Sequence, residues 1–193
     1  MSLALGQAQV RSKTPRLGEG TYMARICSIV DIGVQPMTDW QTHEPTESKP
    51  RVLITWTLPT ETVEREQEDG TVENLPRVLS KEYTLSNHEK SNIVKLVMAL
   101  KPDCKVLNEL LDIETMVSVG STVNDNDKIV SVVKSPKGMT VDALPHPAIF
   151  FDFDDPNEEN YMFLPHWIQG KIKDAENYSG FADSWGVKED DIA

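Results

Sequence analysis

Hydrophobic and polar positions alternate at period two through most of the first two-thirds of the chain and change to helical spacing once. Gly20–Asp31 is rich in β-branched and aromatic residues. It places Tyr22, Ala24, Ile26, Ser28 and Val30 on one face and Met23, Arg25, Cys27 and Ile29 on the other. Both faces are partly apolar, as expected of a long, coiled first strand. In Arg51–Glu61, Val52, Ile54, Trp56 and Leu58 alternate as a core face, which makes Trp56 a packing residue. Pro76–Leu85 reads as a third strand with Arg77, Lys81 and Tyr83 at one parity. The period then shifts. In Ser86–Leu100, Ile93, Val94, Val97, Met98 and Leu100 share a helical face, Ser86 and Glu89 form a capping box, and Pro102 ends the run. Met116–Val123 and Lys128–Lys134 are two further strands, joined by a turn at Asn124–Asp127.

Three strands, a capped helix and two strands are the element order of an OB-fold. The expected class is therefore mainly β, an OB-fold-like Greek-key barrel with one central helix. Val106–Leu111 reads as a short helical piece closing one end. Gly33–Pro50, with three prolines, reads as a long loop carrying Trp40. Thr62–Asn74 is an acidic excursion that turns at Asp69–Gly70. Four segments follow: a flexible N-terminal arm over 1–19, the barrel over 20–138 with its acidic hairpin at 61–76, an extension packed on the barrel over 139–180, and an acidic tail over 181–193. Within the extension Phe151 and Phe153 alternate with Asp152 and Asp154, Tyr161–Leu164 is expected to pair back as a strand, and a helix opens at Pro165 and runs to about Asn177.

The net charge of −12 is unevenly spread. Residues 61–76 hold one cation and six acids, and residues 138–193 hold three cations and twelve acids. The barrel without its acidic hairpin is close to neutral, which is compatible with a polyanion ligand. No apolar run approaches a membrane span, the N-terminus lacks a signal-peptide core, and Cys27 and Cys104 form no CxxC; the expected compartment is reducing and cytoplasmic. His43, His88, His146 and His166 are scattered, with no nucleophile elbow, P-loop or HExxH, so no enzyme and no cofactor are expected. Asp152, Asp154 and Asp155 are the one constellation that could serve a nuclease-like metal; strand alternation explains them as a wet face, and no metal is assigned.

The succession GTYMARICSIVDIG, RVLITWTL, RVLSKEYTLS, the capped helix and the GSTV…KIVSVV hairpin resembles the single-stranded DNA-binding proteins of tailed bacteriophages. LPHWIQGKIKDAENYSG is similar to a C-terminal stretch of such proteins. The resemblance implies a sequence-nonspecific barrel that protects single-stranded DNA during phage replication and recombination, in the host-cell cytoplasm. In this chain Arg25, Arg51, Arg77, Lys81 and Lys134 are the candidates for neutralising phosphates. Trp40, Tyr83 and Tyr22 are the candidates for stacking bases. The end KEDDIA resembles the acidic tails through which such proteins contact replication partners, with Glu189, Asp190, Asp191 and Ile192 as the contact residues; it ends in Ile192–Ala193 rather than a bulky aromatic. The alternative function is a protein-binding OB module, a phage assembly or host-takeover factor, that ignores nucleic acid.

Overall fold

A computed structural model describes residues 15–39, 41–66, 70–124 and 126–185. The architecture is mainly β. Three long strands come first: β1 (Gly20–Thr38), β2 (Pro45–Glu66) and β3 (Val72–Thr84). Helix α1 (Asn92–Leu100) and a 3₁₀ turn at Leu107–Leu110 separate them from β4 (Glu114–Ser121) and β5 (Asp127–Lys134). A short β6 (Ile149–Phe151) and the helices α2 (Glu158–Met162) and α3 (His166–Lys173) complete the chain. The strand order is β3-β2-β1-β4-β5, all antiparallel, and β6 runs parallel to β1 beside Ser28–Val30.

The sheet is not closed. β3 and β5 are the two ends of its path, and side chains rather than a backbone ladder join them: Lys81 Nζ donates to the Ile129 carbonyl at 3.1 Å, and Arg77 Nη1 lies 3.3 Å from the Asp127 carboxylate. Inside the curl, Ala24, Ile26, Ile54, Trp56, Leu58, Val117, Val119 and Ile129 pack with Ile93, Leu96 and Leu100 of α1. Trp56 is fully buried, as its position in the alternation requires.

A second core lies on the other side of β1 and β2. Val30, Ile32 and Leu53 project away from the first core and meet Phe151, Phe153, Tyr161, Leu164, Ile168 and Ile172. The faces expected from simple alternation do not hold along the whole strand: a register shift between Ile26 and Ser28 inverts the parity, so Ile29 joins Ala24 and Ile26 in the first core while Val30 turns to the second. Phe181 and Trp185, which the sequence assigned to a solvated tail, also pack here: Phe181 lies 5.4 Å from Phe153 and Trp185 lies 5.4 Å from Tyr161, between ring centroids.

Several other expectations are corrected. The Gly33–Pro50 loop is the far half of a β1–β2 hairpin, paired down to Thr38 opposite Pro45. Of its prolines, Pro36 falls in the register shift between Gln35 and Met37, Pro45 opens β2, and Pro50 pairs with Val34 next to the shift after Asp31. Ser86 does not cap α1. Ser91 does, accepting from Val94 N at 3.3 Å, while Ser86 Oγ accepts from His88 N in a preceding turn. The buried helical face is consequently Ile93, Leu96 and Leu100, and Met98 is exposed. Residues expected as a strand at Tyr161–Leu164 fall in and just after α2, which Asn157 caps by accepting from Asn160 N at 3.0 Å. The described part of the N-terminal arm is held down: Leu17 N donates to Asp127 Oδ2 at 2.9 Å, Tyr22 Oη donates to the Leu17 carbonyl at 2.9 Å, and Arg77 donates to the Pro15 carbonyl.

Candidate nucleic-acid interface

Most of the cations assigned to phosphate contact have other partners. Arg25 donates to the Asp112 and Glu114 carboxylates at 3.0 and 2.7 Å and to the carbonyls of Asp112, Val141 and Asp142, which ties the first strand to the chain leaving β5. Arg51 bonds Glu82 at 3.2 Å and Thr84 Oγ1 at 3.3 Å across the β2–β3 ladder. Arg77 and Asp127 are only 11% and 12% exposed, and Arg16 Nε approaches the same carboxylate at 3.4 Å. Lys81 is turned into the β3–β5 seam; burial, with Lys128 nearby, holds its ammonium below the usual lysine range. Arg77 and Lys81 face inward, and Arg25 and Arg51 are committed to neighbouring carboxylates, carbonyls and a hydroxyl; cations held in this way tie the sheet together.

The stacking candidates divide in the same way. Tyr83 is 5% exposed in the first core, with Lys81 Nζ 5.4 Å from its ring centroid, and burial pushes its phenol up to about 12. Tyr22 is half-buried with its hydroxyl committed to the N-terminal segment. Neither ring is a free platform. Trp40 lies outside the described residues, as do Glu189, Asp190, Asp191 and Ile192. Cys27 sits beside a register shift of β1 with Sγ 3.4 Å from the Thr55 carbonyl, and burial raises its thiol, so it is an inert packing group. Asp152 Oδ1 accepts from Asp154 N in a tight turn, and among the described residues no group of His, Cys, Asp and Glu converges on a metal position.

Lys134 is the one predicted phosphate contact left at the surface. It has company that parity alone did not single out. Val119 and Ile129 face the first core, so their neighbours Gly120 and Lys128 face outward, opposite one another in the ladder. Lys128, Val130, Ser131, Val133 and Lys134 are all exposed along β5, and Lys137 follows in the exposed loop after it. Beside them the outer positions of β4 are Met116, Ser118 and Gly120, and those of β1 are Thr21 and Met23. The acids of β4 and β5 are Glu114 and Asp127, and both are held by arginines. The outer face of β1, β4 and β5 is therefore small and partly apolar, with Lys128 at one end of β5; Lys134 pairs with the buried Thr115 and is exposed at the other end of the strand, on the inner parity. Six residues separate Lys128 from Lys134, about 20 Å of strand.

No family model, curated protein or solved structure matches this chain.

Proposed function

We propose that the protein is a non-enzymatic, sequence-nonspecific single-stranded DNA-binding module built on an open OB-type barrel, and that its DNA surface runs along the exposed edge of β5 and the loop after it. The observation that carries this reading is the line of exposed lysines, Lys128, Lys134 and Lys137, on a strand pair whose own carboxylates are neutralised. Support for the OB-type barrel comes from the β1–β2–β3 meander, the helix before β4, and β1 lying between β2 and β4. Seam side chains stand where a closed barrel has a β3–β5 ladder. On such a barrel the β1–β2 and β4–β5 loops flank the ligand, and Trp40 falls between Asp39 and Gln41 at the first of them. Lysines on a strand track phosphates without reading bases, and the exposed methyl groups of Val130 and Val133 give bases an apolar contact.

The test is a titration of intrinsic tryptophan fluorescence and of labelled oligo-dT, at low and moderate salt, with duplex of equal length as control. Binding to the single strand that weakens steeply with salt is expected. The Lys128→Glu/Lys134→Glu/Lys137→Glu variant should lose about tenfold or more, because each lost phosphate contact also lowers the salt dependence. Wild-type protein that ignores oligo-dT at low salt would overturn the reading and put the protein-binding module in its place.

A further inference from the structure

We propose that the corner between α2 and α3 is a docking site for a basic, amphipathic segment of a partner protein. The corner is built from Met162, Phe163, Leu164, Pro165, His166 and Trp167. Leu164 turns inward and is 3% exposed, whereas Met162, Phe163 and Trp167 are 51%, 68% and 52% exposed. α3 buries Ile168 and Ile172, so Trp167 has no place in the core that the helix already serves. Three large apolar side chains left in water within six residues are the composition of an interface centre rather than of ordinary surface.

The corner is also rigid. Gln169 Nε2 donates to the carbonyls of Tyr161 and Leu164 at 3.1 and 2.9 Å, and Asn160 Nδ2 donates to the Phe150 carbonyl of β6 at 3.0 Å. A partner would meet side chains on a fixed backbone, and little ordering would be lost on contact.

Charge selects the partner. Residues 138–185 carry nine acids and two lysines. Both lysines are committed: Lys171 to Glu82 at 2.8 Å and Lys173 to Asp183 at 3.4 Å. Glu158 and Glu159 are exposed on α2 itself, and Asp154 and Asp155 are exposed just before it. Phosphates are repelled by such a surface, and so is a second copy of a chain with net charge −12. A segment with apolar residues on one face and Lys or Arg beside them satisfies both features. This surface is separate from the β4–β5 lysines, and its test does not involve DNA.

The probe is a fluorescein-labelled amphipathic peptide of about 18 residues, leucine at helical spacing and lysine elsewhere, titrated with the full chain and read by anisotropy. A peptide with glutamate in place of lysine and a scrambled lysine–leucine peptide are the controls. The wild-type protein should prefer the amphipathic lysine peptide over both. Phe163→Ser/Trp167→Ser should weaken it about tenfold, and Glu158→Gln/Glu159→Gln should weaken it less and flatten its salt dependence. Val130→Ser, an equally exposed apolar residue on β5, should change nothing. Circular dichroism melting checks that the double variant folds, and Trp167→Ser alone replaces it if it does not. Equal affinity of wild type and the Phe163/Trp167 variants, equal binding of the scrambled peptide, or no binding at all would overturn the proposal. So would sedimentation showing that the wild type self-associates through these residues.

Discussion

Arg77 illustrates how the same residue reads differently in one dimension and in three. On the strand it sits at the parity of Lys81 and Tyr83, and interleaved cations and a ring suggest a phosphate groove. In the fold that parity is the inner one. Its charge meets Asp127, fifty residues later, and both are nearly buried. Arg25 and Glu114 are separated by eighty-nine residues in the same way. A sequence states which charges exist and is silent on which long-range pairs form, so four of the five expected phosphate contacts were illegible as structural residues. The consequence is testable. Arg77→Ala removes one end of a pair that bridges the open seam and leaves Asp127 with a poorer partner in a buried place. It should cost about 2 kcal/mol in urea denaturation, the scale of a lost charge-assisted hydrogen bond. Oligo-dT affinity of the folded variant should change less than twofold, whereas the triple lysine reversal loses affinity with little effect on stability. An Arg77→Ala protein of normal stability that had lost DNA binding would return Arg77 to the interface.

At the level of elements, periodicity was a good guide wherever one face of a strand is dry. β1 through β5 include the segments where alternation places them, and Val52, Ile54, Trp56 and Leu58 are buried in the first core as it requires, while Leu53, Thr55 and Thr57 between them are buried on the other side. Legibility failed where a short local signal had two readings. Tyr161–Leu164 has the composition of a strand, but Asn157 followed by Glu158 and Glu159 is a helix start, with a capping side chain and acids in the first turn. It failed again at the hairpin beyond Asp31, where prolines looked like loop punctuation and are tolerated at irregular pairing. Gly33 lies at that irregularity with φ +72°, its N–H donating to Asp31 Oδ1 at 2.9 Å. A Cβ at this position would come within 2.6 Å of Phe153 Cε2 and 2.8 Å of both Ala175 Cβ and Asn177 Oδ1. Asn177 Oδ1 accepts from Val34 N, and Glu176 N donates to the Val34 carbonyl, so this is the point where the extension is fastened to β1. Gly33→Ala combines an unfavourable backbone with a clash at that fastening, and should cost about 2–4 kcal/mol. Limited proteolysis should cut the extension of the variant before the sheet. Unchanged melting and an unchanged cleavage order would show that the extension is not held there.

Across the whole molecule, two cores share the β1–β2 pair, and charge is divided between the parts they organise. β5 and the loop after it present lysines, and the extension and C-terminal residues carry most of the excess acid. Residues 186–193 lie outside the described residues, yet their charge is fixed by composition: one lysine against Glu189, Asp190 and Asp191. Acid joined to the same chain as a cationic strand competes with phosphates for those lysines, and raises the electrostatic work of bringing DNA to the protein. The competition is purely coulombic, so salt should erase it once the screening length falls to about 10 Å or less. Deleting Gly186–Ala193 should therefore tighten oligo-dT binding about two- to fivefold at low salt and leave it unchanged at several hundred millimolar. The fluorescence titration that tests the lysines measures this too. Tightening that persists at high salt would mean that the segment blocks the face by contact rather than by charge. Identical affinities at low salt would mean that the acidic end and the lysine strand act independently, leaving the end free to serve a partner protein.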